Sequence, residues 1–335
     1  MFRNDYSVGA APEIMAALQN LCAEENTAYG EDKHSARAKE LIKDYFGTPD
    51  ADVHFIAGGT QTNMTVISYF LRPYEGVIAC DTAHINTHET AAVEGSGHKI
   101  YACPNCDGKL TAQEVEKAFL LHADEHMMKP AMVYISQASE TGTLYTKAEL
   151  TALRQVCDRY GLMLFLDGAR LAVALACGGT DADEKFIGNV CDIFYAGGTK
   201  NGLLFGEAVV IKDSKRAEYF RYHIKNRGAM LAKGFVLGAQ FEALFTDGLY
   251  VKLAGNTCRT ADIIRNGLEK RGVAFVGGSK TNQIFIRLPA AKAQAVCDKY
   301  GCEKWTDLGN EWVIRIVTSF ATADADCEEF LAFFD

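Results

Sequence analysis

Proline is scarce, with 6 residues in 335, and no stretch combines glycine, serine and proline. A flexible linker needs such a stretch, so the parts of this chain are expected to pack firmly together. Internal repeats and low-complexity tracts are missing as well, which excludes repeat architectures. There is no basic run, and the formal net charge is -9, so neither nucleic acid nor an anionic membrane is an expected partner. No apolar stretch approaches the roughly 20 residues needed to span a bilayer. Met1-Phe2-Arg3-Asn4-Asp5 lacks the charged-then-apolar pattern of a secretory signal, and the expected location is cytoplasmic. Cys103-Pro104-Asn105-Cys106 is a lone CxxC; one pair cannot complete a zinc site, and no metal is expected. Most of the 11 cysteines, including Cys80, Cys157, Cys177 and Cys191, lie inside apolar runs and read as small hydrophobes.

The chain does hold the material for a large core, being 48% hydrophobic and 23% charged. Its length suggests two units. Pro12 opens a first helix, and a second runs to about Phe46. Short apolar runs then alternate with helical patterns. Val53–Ala57, Val77–Cys80, Lys99–Cys103, Met132–Ile135, Leu162–Leu166, Ile193–Ala196 and Ala208–Ile211 read as strands. Thr60–Leu71, Asn86–Val93, Thr111–Met128 and Lys147–Tyr160 read as helices between them. The alternation predicts an α/β fold: a mostly parallel seven-stranded sheet sandwiched by helices. After Lys212 the pattern is helical to about Lys270. Val273–Val276, Gln283–Leu288 and Trp312–Val317 then read as strands of a smaller α+β unit. The expected domains are 1-240, with the large sheet, and 241-335.

Two of the apolar runs end on ionisable residues. Leu162–Leu166 stops at Asp167-Gly168-Ala169-Arg170, and Ile193–Ala196 stops at Gly197-Gly198-Thr199-Lys200. Ligands of open α/β sheets bind outside the carboxyl ends of strands. A carboxylate and an amine delivered there suggest pyridoxal phosphate, which needs a lysine for its Schiff base and an acid opposite its pyridinium nitrogen. Taken singly, Asp167 also reads as a helix cap and Lys200 as a solvated loop lysine. After the first strand comes Gly58-Gly59-Thr60-Gln61-Thr62-Asn63, a glycine turn opening a helix. Free N–H groups and a partial positive charge at that helix start suit a phosphate, although an ordinary glycine turn has the same sequence.

Taken in order, Arg3-x-Asp5, Tyr29-Gly30-Glu31-Asp32, Gly59-Thr60-Gln61-x-Asn63, Ala83-His84, Asp167-Gly168-Ala169-Arg170, Thr199-Lys200 and Arg315 span nearly the whole chain. In these motifs the sequence resembles the L-threonine aldolase / β-eliminating lyase family of fold-type I pyridoxal phosphate enzymes. The resemblance implies that Lys200 is linked to the cofactor and that Asp167 faces the pyridine nitrogen. Gly59, Thr60 and Gln61 would hold the phosphate beside Thr199. His84 would stack on the ring or act in acid/base catalysis; a helix-capping or core histidine is the competing reading. Arg170 would bind cofactor phosphate or substrate carboxylate. Arg315 sits among apolar neighbours and needs an anion, either the substrate carboxylate or a structural salt-bridge partner. Lys233 and Arg227 are further phosphate candidates, supplied from a neighbouring subunit, and Tyr29 is a candidate contact with a site shared between subunits.

Two positions depart from the family pattern. A serine commonly touches the substrate carboxylate where this chain has Asn4, whose amide can donate the same hydrogen bond. A second active-site histidine is commonly found where Gln137-Ala138-Ser139-Glu140-Thr141-Gly142 stands, with Glu140 at or near its place. The pattern there is similar to phenylserine-aldolase-like relatives. The implied activity is retro-aldol cleavage of an L-β-hydroxy-α-amino acid to glycine and an aldehyde, with His84 or Glu140 as the base. The same scaffold could also run β-elimination or transamination, or bind the cofactor without turnover. A homodimer or homotetramer with shared active sites is expected.

Overall fold

A computed structural model describes residues 1–335. All seven strands expected of the large sheet are present. They are β1 (Asp52–Ile56), β2 (Glu75–Cys80), β3 (Ile100–Cys103), β4 (Lys129–Ser136), β5 (Met163–Asp167), β6 (Ile193–Gly197) and β7 (Glu207–Ile211). Their spatial order is β1-β7-β6-β5-β4-β2-β3. β7 runs antiparallel to both neighbours, β1 and β6, and every other pairing is parallel. β2, β5, β6 and β7 are buried along their whole length, which is why they read as continuous apolar runs.

Local chemistry marks the helix ends. Thr146 and Glu149 form a capping box at the start of Lys147–Tyr160, and Gly161 ends it with φ 67°. Asp32 accepts the N–H of Ser35 to open Lys33–Phe46. Two expected helices are shorter than their periodicity suggests. Thr111–Met128 is helical only over Ala112–Leu121, because Asp124 captures the His126 N–H in a local turn. Asn86–Val93 resolves into His84–Thr87 and Ala92–Gly95, separated by Thr90 and Ala91 with φ 50° and 57°.

The second sheet contains β8 (Ala274–Phe275), β9 (Gln283–Pro289), β10 (Glu303–Asp307) and β11 (Glu311–Val317), all antiparallel in the order β10-β11-β9-β8. β10 has no sequence signature. It is an edge strand, largely exposed, and needs no apolar face. One core lies around the large sheet and a second around Ile264, Ile284, Ile314 and Phe330. The helix Leu249–Lys270 serves both, giving Tyr250 and Ala254 to the first and Ala261, Ile264 and Leu268 to the second. Phe2 also packs into the second core, and its N–H and C=O bond Tyr300 and Val317. The reading of Cys177 as a free apolar residue is corrected: it forms a disulfide with Cys258 on the long helix, Cα–Cα 5.3 Å. Cys103 and Cys106 are not bonded to each other. No helix is long and apolar enough to cross a membrane.

Candidate active site

β5 and β6 are adjacent and parallel, so their carboxyl ends open on the same edge of the sheet. The loop after β5 presses against the end of β6. Gly197 donates its N–H to Gly168 O at 3.0 Å. A Cβ on Gly168 would lie 1.8 Å from Tyr195 O, and one on Gly197 would lie 2.5 Å from Ala169 O. Only glycine tolerates that approach, and it brings Asp167 and Lys200 into one cavity of about 440 Å³. The walls include Gly59, Thr60, His84, Glu140, Arg170, Thr199 and Arg315. Of the residues singled out by sequence, the fold therefore gathers most at one site.

Asp167 is buried, and its carboxylate accepts Tyr134 Oη and Tyr195 Oη at 2.5 Å each, Asn63 Nδ2 at 3.1 Å and the Ala169 N–H at 3.0 Å. Burial acts to raise its pKa, but the His84 charge and these donors outweigh it and hold the group below its ordinary value. Asn63 Nδ2 also reaches Glu89 Oε1 at 2.8 Å, and the same oxygen lies 2.7 Å from His84 Nδ1. Burial works against the His84 charge; Glu89, Glu140 and Asp167 favour it, and the net pKa is raised. Lys200 is shifted down, chiefly by burial and then by Arg170. A lysine so depressed keeps more free amine for a carbonyl.

The two arginines are held differently. Asp5 fills one edge of the buried Arg170 guanidinium, Nε–Oδ2 2.7 Å and Nη2–Oδ1 3.1 Å. Arg315 meets Glu303 through Nη2 and Gln283 Oε1 through Nη1 at 3.2 Å, while its Nε is buried without a partner. Both expected kinds of partner for Arg315 thus stay open: a structural carboxylate sits beside it and the cavity lies in front.

The helix Gly59–Phe70 starts at this cavity with no side-chain cap. The Thr62 N–H reaches Gly58 O at 2.9 Å. The first N–H groups of a helix have no partner within it. Those of Gly59, Thr60 and Gln61 are left for an external anion, and a Cβ at Gly58 would meet nothing within 4 Å. An uncapped helix start, a depressed lysine and a firmly held carboxylate fit pyridoxal phosphate.

A family model described as beta-eliminating lyase matches residues 2–291. The chain belongs to the β-eliminating lyase family. A low specificity L-threonine aldolase of Pseudomonas sp. is 32% identical to it over 335 residues, covering 99% of this lyase-family chain and 96% of that protein. The solved structure of Leishmania major threonine aldolase superposes with TM-score 0.97 at 41% identity, covering 99% of this chain and 98% of that one. Thermus thermophilus aspartate aminotransferase shares the fold at 16% identity, TM-score 0.72, over 98% of this chain and 88% of its own. The architecture is fold type I.

Five residues singled out by sequence, Asn4, Tyr29, Gln61, Arg227 and Lys233, do not line the cavity of this lyase-family chain. Gln61 is there through its backbone position at the helix start rather than as a wall. Asn4 Oδ1 closes a turn, accepting the Tyr6 N–H at 3.1 Å and the Ser7 hydroxyl at 2.8 Å; Tyr6 lines the cavity instead, its ring centroid 5.7 Å from Lys200 Nζ. Tyr29 has φ 60° and sits under the Lys225 ammonium at 4.7 Å, away from the site. Lys233 is exposed, and Arg227 bonds His223. Sequence reasoning missed Tyr134, Tyr195, Glu89 and Glu207. Tyr134 and Tyr195 were legible as hydroxyls inside buried strands, which need partners. Glu207 was legible as a carboxylate opening one.

Proposed function

We propose that this protein cleaves L-β-hydroxy-α-amino acids, L-threonine or L-allo-threonine among them, to glycine and an aldehyde, with pyridoxal phosphate as cofactor. Its relatives from Pseudomonas and Leishmania carry the name threonine aldolase. Lys200, Asp167, His84, Thr199 and the Gly59-Thr60-Gln61 turn would hold the cofactor. Bound through Lys200, pyridoxal phosphate supplies an electron sink for the pair released when the Cα–Cβ bond breaks. Arg315 holds the substrate α-carboxylate, with Arg170 beside it, and so orients the Cα substituents.

Aldol cleavage differs from its rivals in needing an acceptor for the β-hydroxyl proton. The observation that carries the proposal is Glu140, on the segment after β4. It lines the cavity that holds Lys200 and His84, with no protein donor bonded to its carboxylate. His84 is tied to Glu89 and biased toward the imidazolium, which makes it the poorer acceptor in the resting pocket. Glu140 therefore takes the hydroxyl proton as the C=O of the aldehyde forms and the Cα–Cβ bond breaks. His84, anchored by Glu89, would help hold the cofactor ring. Asp167, kept ionised by its donors, would supply a negative charge to the cofactor's protonated ring nitrogen.

The working unit is a homo-oligomer with sites shared between copies. Tyr29 and Lys233 are exposed on this chain and available to a second copy's cavity. Light scattering on the purified protein tests this, and a monomer at working concentration argues against it. The activity is tested on the pyridoxal phosphate-loaded protein with L-threonine. Acetaldehyde and glycine are expected in equal amounts. Pyruvate-type keto acids with ammonia, or an aminated cofactor, would instead mark elimination or transamination. Lys200→Ala abolishes turnover and the cofactor's visible absorbance. Glu140→Gln lowers kcat about a hundredfold or more; a loss under tenfold removes Glu140 as the base.

A further inference from the structure

We propose that Glu303 is an internal counter-ion that the substrate α-carboxylate must displace from Arg315, so that it sets the affinity of the site for carboxylates. The inference rests on the reading of Arg315 as the carboxylate anchor.

β10 and β11 pair antiparallel, and the register sets Glu303 directly opposite Arg315. Directly opposed residues project from the same face of a sheet. Both residues line the cavity that holds Lys200, as does Trp305. The Arg315 side chain is 11% exposed and Glu303 46%. Arg315 is fixed: Gln283 Oε1 takes Nη1 at 3.2 Å, and the Trp305 ring lies 5.1 Å from the guanidinium carbon. Trp305 is itself braced edge-on by Phe285 at 5.2 Å. Glu303 is the partner free to leave.

The pairing is also incomplete. A guanidinium presents Nε and Nη2 as a parallel fork that a single carboxylate can fill. Arg170, in the same cavity, shows the filled state, with Asp5 on both nitrogens. On Arg315, Glu303 engages Nη2 alone, and the Nε–H remains buried and unbonded. An α-carboxylate that takes both nitrogens gains the hydrogen bond that Glu303 leaves unmade. An unbonded buried donor is costly, so the exchange is favourable even though one carboxylate replaces another. The closed fork of Arg170 leaves Arg315 as the arginine with room.

A site whose competent form is only partly populated shows an affinity reduced by that fraction. Removing the internal competitor therefore tightens binding. The test compares the pyridoxal phosphate-loaded wild type with Glu303→Gln, Glu303→Ala and Arg315→Lys. Glycine binding is read from the change in cofactor absorbance, acetate serves as a competing carboxylate, and KM and kcat are measured for L-threonine. Both Glu303 variants are expected to bind glycine about tenfold more tightly, to be inhibited by acetate at lower concentration, and to show the effect in KM rather than kcat. A residue that merely supports the strand would raise KM and lower kcat. Unchanged or weaker glycine binding in both Glu303 variants overturns the proposal. Arg315→Lys separates the two levels. A large loss of glycine affinity there, with the Glu303 variants unchanged, sinks only the counter-ion; equal affinity in Arg315→Lys sinks Arg315 as anchor and the proposal with it.

Discussion

Glu207 opens β7 opposite Gly197, and its carboxyl accepts the Thr199 hydroxyl at 2.7 Å and the Gly198 N–H at 3.2 Å. It thus braces the backbone that presents Lys200. Burial pushes its pKa from 4.5 up to about 8, against the pull of those donors and of Lys200. The sign of the linkage follows. Below about pH 4.5 the group is neutral in both folded and unfolded chains. Between there and pH 8 the unfolded chain releases a proton that the folded chain retains, so stability falls as pH rises through this window. Glu207→Gln removes the titration. Melting the apoprotein at several pH values should show the variant gaining on wild type steadily from pH 5 to pH 8; a pH-independent difference in Tm contradicts it. Sequence pattern alone exposes residues such as Asp167, Lys200 and Arg315, because an ionisable group at the end of, or inside, an apolar run stands out. It does not expose Glu89, whose partners Asn63 and His84 come from other segments and meet it only after folding.

The contact between the loop after β5 and the end of β6 belongs to the scale of elements. Asp167-Gly168 and Gly197-Gly198 look like ordinary turn signals, yet neither Gly168 nor Gly197 is needed for a left-handed φ. They are needed because two backbones touch. Gly168→Ala would set a methyl 1.8 Å from Tyr195 O, so the loop after β5 or the end of β6 must shift. The expected cost is about 1–3 kcal/mol, seen as a lowered Tm, together with weakened pyridoxal phosphate binding as Asp167 moves. A variant that keeps both the melting temperature and the cofactor affinity of wild type would show the contact to be slack. The elements themselves were largely legible, since buried parallel strands are apolar throughout. β10 was not, because Glu303-Lys304-Trp305-Thr306-Asp307 has no buried face to impose a pattern. That strand carries Glu303 and Trp305 into the cavity, so its illegibility hid part of the site.

On the scale of the whole molecule, Asp5 is a junction. It holds Arg170 of the large sheet's edge and accepts Asn282 Nδ2 at 3.0 Å from the start of the small sheet. Its pKa lies below the ordinary value: burial raises it, and the Arg170 and Lys200 charges more than compensate. Asp5→Asn strands a buried guanidinium and should cost about 3 kcal/mol, measured as a fall in the unfolding midpoint. A shift too small to resolve would mean that Arg170 finds another anion. The sequence shows Arg3-x-Asp5 as a motif, but nothing in it reveals a partner 165 residues away. The same segment sets an order of assembly. Phe2 bonds Tyr300 and Val317, and Asp5 waits for Arg170 and Asn282. On the ribosome, Phe2 and Asp5 are made before all of these partners and must wait unpaired until Asn282, Tyr300 and Val317 have emerged. Contacts of such long sequence separation form late in folding. The large sheet can collapse around β5 and β6 before this clasp closes, and the active site matures only when Phe2 and Asp5 meet the small sheet.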